Sequence, residues 1–556
     1  MNKKVCSFPI LFALLALLIG TCAVVFPASA QAAPTSTGSI TVSGTVASSY
    51  DAYQIFSANV VDGDSDAKIA TDLAWASDAV RDAALPVLHS AGMPNSQTTA
   101  QEAAEWLNTD SHLTSALSAQ LARSLQSSGA VSVALNAGTA AELPCGYWLI
   151  VADDDAIAQG EAGTAPIMAL VGGSAVTVKP KAATPKVAKH VLEDSTAAWQ
   201  KAADATVADD LYWRLSATVP AGLTAYDTYT VQFVDTMSAG LDPSKVAASM
   251  RVYVAAGADG GFDAVQTGKD GRVGTEPAKG WTDITAQCAT KVAADGKTFT
   301  VRTGDLIAAL GGADAFTAGA RVVAVYNAPL NSACNHGIAK GNPNEVYLRY
   351  PRSPFADQSG DAGFTRTPSD DACAYTWDLA LTKRGSDGDK PLAGAVLSIA
   401  DDRGRTLAAD GTWDAEGKAT VTTGEDGRVT VSGVDSGKLE VRELKAPKGY
   451  TAFEGTRSVT VKAEGLDVDQ VAAAKPKLTI TAESPLRADS ADGSTGSLEA
   501  SLINTPTGTP PSITTGGFMP STGDMAMYAA AAAAVAGAAL IVVALLVKRG
   551  GGSHKE

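Results

Sequence analysis

The sequence predicts an all-β protein of three tandem β-sandwich domains, the first carrying a helical insertion, set between two apolar terminal segments. Three observations carry that prediction. Most of the chain alternates apolar and polar residues at period two, in short runs separated by Gly, Asp and Pro, which is the pattern of half-buried strands joined by turns. One stretch departs from it: from Asp66 to Ser127 the chain is Ala-rich and amphipathic at helical spacing, broken near Gly92-Met93-Pro94. Two punctuating segments, Lys179-Pro180-Lys181 through Pro185 and the Ser, Asp, Gly and Pro-rich residues 356–371, divide the remainder into blocks of domain size.

In chain order, Lys3 and Lys4 precede an apolar segment, Phe8 to Phe26, and the small-x-small site Ala28-Ser29-Ala30. Residues 1–30 therefore read as a secretory signal peptide and stay outside the fold. Thr21 is too large for the position before a lipidated cysteine, so Cys22 is not expected to be modified. The first domain, 34–180, has strand patterns at 38–60, Val131 to Leu135, Tyr147 to Val151 and Ile167 to Val178, around the helical stretch. The second, 187–355, shows period-two runs such as those holding Val231, Phe233, Val252 and Val254. The third, 372–506, repeats that pattern with Asp-Gly turns at 387, 410 and 426. Residues 507–518 are an extended Pro and Thr-rich spacer. Met519-Pro520-Ser521-Thr522-Gly523 follows, then the 23 apolar residues Met525 to Val547, long enough to span a bilayer as a helix. Lys548-Arg549 should hold the far end on the cytoplasmic side.

A formal charge of −16 with no basic cluster outside the termini argues against nucleic acid as a partner. Four cysteines, Cys145, Cys288, Cys334 and Cys373, remain once Cys6 and Cys22 leave with the signal peptide. In an oxidising compartment they allow three pairings. Cys288 with Cys334 is preferred because both fall in one domain; Cys145 with Cys373 would then link two. No metal or cofactor site is expected. Gly296-Lys297-Thr298 imitates the end of a phosphate loop, but Lys291 stands where that loop needs Gly. Asp62-Gly63-Asp64-Ser65-Asp66 lacks the downstream Glu of a calcium loop. No H-E-x-x-H or G-x-S-x-G occurs, and a turnover enzyme is not expected.

The residues that break the inward pattern point to chemistry. Period two places Lys383 on the face of Trp377, Leu379 and Leu381; Glu443 on the face of Leu439 and Val441; and Asn504 on the face of Leu498 and Leu502. The second domain repeats the set. Lys189 shares a face with Val187 and Val191, Asp235 with Val231 and Phe233, and Asn344 with Val346, Leu348 and Tyr350. Such positions at strand ends would let the side chain escape to solvent, since Lys and Glu are almost never buried unpaired. Buried together, the lysine loses its charge and the acid keeps its proton. A neutral amine is a nucleophile, and the acid can move protons to and from an amide. The expected product is a Lys–Asn isopeptide bond with release of ammonia, a single-turnover reaction in each domain.

Four resemblances give these features a context. M-P-S-T-G followed by an apolar span and a basic tail resembles the L-P-x-T-G sorting signal of Gram-positive surface proteins, with Met519 in place of Leu. That likeness implies sortase cleavage after Thr522 and only transient membrane retention. L-T-K-R-G (381–385), P-L-A-G-A-V (391–396) and E-L-K-A-P-K-G-Y (443–450) resemble the collagen-adhesin B-type Ig-like domain. P-K-V-A-K-H-V (185–191), F-V-D-T-M-S-A-G-L (233–241) and G-N-P-N-E-V (341–346) resemble the middle domain of Gram-positive backbone pilins. The likeness implies tandem Ig-like domains in a shaft subunit, with Glu443 and Asp235 as promoting acids and Lys383–Asn504 and Lys189–Asn344 as crosslinks. V-K-P-K (178–181) resembles the pilin motif, which implies that Lys181 accepts the next subunit; Lys179 replaces the usual aromatic residue. The implied partners are pilus-class and housekeeping sortases, identical subunits, minor pilins and peptidoglycan, and the implied location is the cell-wall fimbrium of a Gram-positive bacterium. The host receptor is not specified. The competing reading is a wall-anchored monomeric adhesin or a minor pilin, neither of which needs an acceptor lysine at 181.

Overall fold

A computed structural model describes residues 36–64, 67–109, 111–163, 165–180, 184–268 and 271–508. The expected signal peptide, Lys181, the sorting motif 519–523, the span 525–547 and all but the first two residues of the spacer 507–518 lie outside the described residues. The described chain is mostly β, built as successive pairs of sheets over separate cores.

The first pair centres on the long strand Ser49–Asp62, which pairs with Lys68–Trp75, Val133–Asn136 and Gly146–Ala152. Alternation sets its two faces. Tyr53 and Ile55, with Leu149 and Val151, pack under helices Asp78–Ser90, Ala100–Asn108 and Ser115–Ser128. Tyr50 and Ala52, with Trp148 and Ile150, pack instead on Ile40 and Val42 of a small sheet formed by Thr37–Val42, Ala140–Pro144 and Val176–Val178. Local chemistry starts and stops each helix. The Ser77 and Thr114 hydroxyls cap the first and third, and Thr99 with Glu102 forms a capping box on the second. Gly129, in the left-handed region at φ 72°, ends the third. The helical stretch begins later than its composition suggests, because Lys68–Trp75 is a strand. Its Ala70 and Ala74 read as helix formers, but the hairpin with Ser49–Asp62 claims their backbone.

The second pair encloses the largest core. One sheet runs in the order Ala198–Gln200, Lys186–Glu193, Tyr212–Val219, Ala320–Asn327, Arg251–Ala256, Thr282–Asp283. The facing sheet runs Ala202–Asp204, Asp370–Tyr375, Asn342–Pro351, Gln232–Met237, Thr298–Arg302, Ala289–Val292, with Phe364–Arg366 beside Asn342–Pro351. The expected boundary at 356–371 is therefore displaced. Asp370–Tyr375 pairs with Ala202–Asp204 and Asn342–Pro351, so this sheet reaches into the block expected to start at 372. The polar Ser369-Asp370-Asp371 run hides that strand, although Ala372 to Tyr375 are buried.

In the third pair, Trp377–Gly385 lies parallel to Ser497–Pro506, flanked by Arg428–Val434 and Leu486–Asp492. The facing sheet centres on Val396–Ala400, Gly437–Lys445 and Thr456–Glu464. The second and third bodies meet over hydrogen bonds from Trp377 Nε1 (2.6 Å) and Ser436 N (2.9 Å) to Asp204 Oδ2, and from Val207 N to Gly433 O at 2.9 Å. Arg403 and Arg405 pair with Asp209 at 2.9 and 2.5 Å on the rim. Beside these contacts burial, reinforced by the charge of Asp204, pushes Glu193 up to about 7, and burial also raises Asp194 and Asp435.

The cysteines correct an expectation. All four are free thiols, so neither Cys288–Cys334 nor Cys145–Cys373 is formed. Each is engaged locally. Cys288 Sγ donates to Ile284 O at 3.3 Å, Cys334 Sγ lies 3.6 Å from His336 Nε2, Cys373 Sγ donates to Ala374 O at 3.7 Å, and Cys145 packs with Ala58 and Leu170. Burial pushes Cys288, Cys334 and Cys373 up to about 11, which keeps them protonated and unreactive at neutral pH.

Candidate crosslinking sites

Lys189, Asp235, Asn344, Lys383, Glu443 and Asn504 are all buried, and they gather into two separate trios. In the second body, Asp235 and Asn344 sit on neighbouring antiparallel strands. Asp235 opposes Val346 and Met237 opposes Asn344, so acid and amide are diagonal neighbours on one face. Lys189 comes from the other sheet and crosses the core to meet them. Its side chain is 0% exposed and its Nζ contacts Asp235 Oδ2, with the Trp213 and Tyr326 rings each 5.4 Å from it. Phe299 closes the pocket edge-on to Tyr326, ring centroids 4.8 Å apart.

Tyr326 is the residue that sequence reasoning missed. Its hydroxyl accepts from Lys189 Nζ at 2.9 Å and from Asn344 Nδ2 at 2.8 Å, and donates to Asp235 Oδ2 at 3.0 Å. The available signal was parity: Val322, Ala324 and Tyr326 alternate inward along Ala320–Asn327. A second ring of charge, also unread, holds the Lys189 backbone. Asp370 Oδ2 accepts from Lys189 N at 2.6 Å, while Lys201 Nζ pairs with Asp370 and donates to Lys189 O at 2.9 Å.

The third body assembles its trio differently. Lys383 and Asn504 share one sheet, on the adjacent parallel strands Trp377–Gly385 and Ser497–Pro506. Lys383 opposes Leu502, two residues before Asn504. Glu443 reaches in from the facing sheet, beside Leu397. Its Oε1 accepts from Asn504 Nδ2 at 2.8 Å and lies 3.6 Å from Lys383 Nζ, and its Oε2 accepts from Phe453 N at 3.1 Å. Lys383 Nζ also donates to Leu502 O at 3.2 Å. Glu440 and Arg442, of opposite parity, are exposed.

The electrostatics match a dry reaction site. Burial pulls Lys189 down to about 8 against the opposing pull of Asp235, and pulls Lys383 down to about 8 against that of Glu443. Burial raises Asp235, with Lys189 and Tyr326 acting the other way. Both amines thus gain neutral, nucleophilic character. Asp235 Oδ1, Asn344 Oδ1 and Asn504 Oδ1 are buried without a hydrogen-bond partner, so both amide carbonyls are unoccupied acceptors.

Comparison with known proteins finds a family match within the third body. Residues 378–475 match the SpaA family, described as a prealbumin-like fold domain. The trypsin-resistant surface T6 protein of Streptococcus pyogenes serotype M6 is 30% identical over 143 residues, covering 24% of each chain. The match thus spans about a quarter of that relative's length. Among solved structures, the T6 backbone pilin of serotype M6 Streptococcus pyogenes has a TM-score of 0.45 at 17% identity, covering 85% of this chain and 98% of its own. The full-length major pilin SpaD of Corynebacterium diphtheriae has a TM-score of 0.41 at 14% identity, covering 85% and 98%.

Proposed function

We propose that this chain is the repeating shaft subunit of a covalently polymerised, Gram-positive cell-surface pilus, each subunit locked by two internal Lys–Asn isopeptide bonds. One observation carries the reading: two buried trios of lysine, acid and asparagine stand in consecutive sandwiches, each amine and amide held by the same acid or its immediate partner. In the third body, Lys383 Nζ as the neutral amine attacks Asn504 Cγ. Glu443, within reach of both nitrogens, takes the proton that the amine sheds and returns it to Nδ2, which leaves as ammonia. Containment in one folded core supplies the high effective molarity that such an attack on an unactivated amide needs. Bond formation consumes Lys383 once, so the chemistry is maturation without turnover.

The two bonds would restrain different motions. Lys383–Asn504 joins first and last strands side by side in one sheet, so force applied along the subunit passes through it and bypasses the strands between. Lys189–Asn344 ties one sheet to the other across the core. Outside the folded bodies, a pilus-class sortase would cleave after Thr522 and pass its carbonyl to Lys181 of the next subunit. A single head-to-tail contact repeated in this way makes an open filament. A housekeeping sortase would join the last subunit to peptidoglycan, and minor pilins would be added by the same chemistry. Lys179 and Lys186, on either side of the undescribed residues 181–183, are exposed. The alternative, a monomeric wall adhesin or minor pilin, is favoured by one feature: Lys179 stands where the pilin motif usually has an aromatic. Immunoblotting of cell-wall extracts tests the choice. A high-mass ladder that collapses to monomer in Lys181→Ala cells supports the shaft; no ladder in unmutated cells favours the alternative.

A further inference from the structure

We propose that the Tyr326 hydroxyl is a catalytic proton relay for the middle crosslink, filling the place that the longer Glu443 side chain occupies in the third body. The inference rests on the Lys–Asn bond proposed above. Glu443 Oε1 accepts directly from Asn504 Nδ2 at 2.8 Å, and the same oxygen lies 3.6 Å from the Lys383 amine. One carboxylate oxygen therefore touches both reacting nitrogens. Asp235 is one methylene shorter. Its Oδ2 contacts Lys189 Nζ but not the Asn344 amide, and Tyr326 Oη stands between them, 3.0 Å from Asp235 Oδ2 and 2.8 Å from Asn344 Nδ2. The phenol also accepts from Lys189 Nζ at 2.9 Å, so it alone touches every member of the trio.

Its placement is fixed by the sheet. Tyr326 opposes Trp213 across an antiparallel pair, on the strand beyond the one that neighbours Lys189. Tyrosine and lysine thus reach from one sheet toward the acid and amide on the other. Complete burial of Tyr326 pushes its phenol well above the usual range, so the hydroxyl keeps a proton to give.

The step balances as follows. The Lys189 Nζ lone pair forms a bond to Asn344 Cγ. The tetrahedral centre then sheds its former amide nitrogen, Nδ2. Asp235 Oδ2 takes one proton from Nζ, Tyr326 gives its own proton to Nδ2, and the proton taken by Asp235 passes on to Tyr326. Ammonia departs, the new amide keeps one N–H, and acid and phenol end in their starting states. No co-reactant is consumed.

The test is intact-mass analysis of the mature ectodomain over time after purification, with the third-body ammonia loss as internal control. In Tyr326→Phe the middle loss should slow by about 100-fold or more, within the range for a displaced general acid–base group, while the third-body loss stays complete. Tyr326→Phe with Asp235→Glu should recover it, since glutamate reaches the amide directly. That rescue separates relay from packing, because the longer acid restores nothing that the ring lost. Middle crosslinking at the unmutated rate in Tyr326→Phe overturns the relay, and so does a double variant as slow as the single one. Absence of both losses from the unmutated protein would instead sink the crosslink reading itself.

Discussion

Replacing Lys383 with methionine isolates the stabilisation expected of the proposed third-body bond. Methionine keeps an unbranched chain of similar length in the apolar site and removes the amine. It therefore deletes the crosslink without stranding a charge, unlike Glu443→Ala, which leaves an unpaired lysine buried at a further cost of about 3–5 kcal/mol. Lys383 and Asn504 are 121 positions apart. Closing a loop of that length restricts the unfolded chain by about 5 kcal/mol in the chain-entropy model. For a body of this size one kcal/mol moves the midpoint by about 4 °C, so Lys383→Met should lower the third-body transition by about 20 °C. Differential scanning calorimetry of the ectodomain reads this directly, with the middle-body transition as reference. The variant should also become trypsin-sensitive within 377–506 while the middle body stays resistant. A fall of only a few degrees, with unchanged protease resistance, would mean that no crosslink at Lys383 restrains the third body.

Three further outcomes are expected. Asp235→Ala should remove one ammonia loss and leave the other, whereas Glu440→Ala, on the exposed parity of the Glu443 strand, should change nothing in the crosslinks. The contact between second and third bodies should loosen as pH rises. Glu193 stands at about 7, raised above its unfolded value by burial and Asp204. The stability it contributes is therefore full below about 4 and lost as pH climbs through about 7. Asp194, Asp204 and Asp435 are the acids that face it, and on the rim Arg403 pairs with Asp194 and Asp209 while Arg405 pairs with Asp209. Amide protection factors at 203–207 and 433–436, corrected for the base-catalysed intrinsic rate, should fall from about pH 5 to about pH 7, and Glu193→Gln should flatten the change. Lys181→Ala should leave folding and both internal bonds intact yet abolish the ladder, with Lys179→Ala as the neutral control; a ladder persisting in Lys181→Ala cells would move the acceptor to Lys179 or Lys186.

The part of this site legible in the sequence was the part governed by strand parity. Lys189, Asp235, Asn344, Lys383, Glu443 and Asn504 each sit in a period-two run whose inward positions are apolar, so each announces itself as a polar residue facing a core. Tyr326 obeys the same parity, but a tyrosine on an apolar face raises no alarm; only its contacts reveal the bridge it makes. Nor does parity say which sheet a strand joins. That Lys189 meets its acid and amide across the core while Lys383 and Asn504 share one sheet depends on long-range pairing. The same limit hid Asp370–Tyr375, a strand recruited by partners far away in sequence, and Lys68–Trp75, whose alanines are good helix formers locally. For the cysteines, sequence supplied only number and compartment, and spatial approach was beyond it.

Each of the two buried trios is proposed to close a covalent bond without help. Intact-mass spectrometry of the unmutated recombinant ectodomain, reduced and denatured, tests it most directly. The mass should be lower than that of the bare sequence by two molecules of ammonia, with fragment ions that tie Lys189 to Asn344 and Lys383 to Asn504. A mass equal to that of the bare sequence would contradict it.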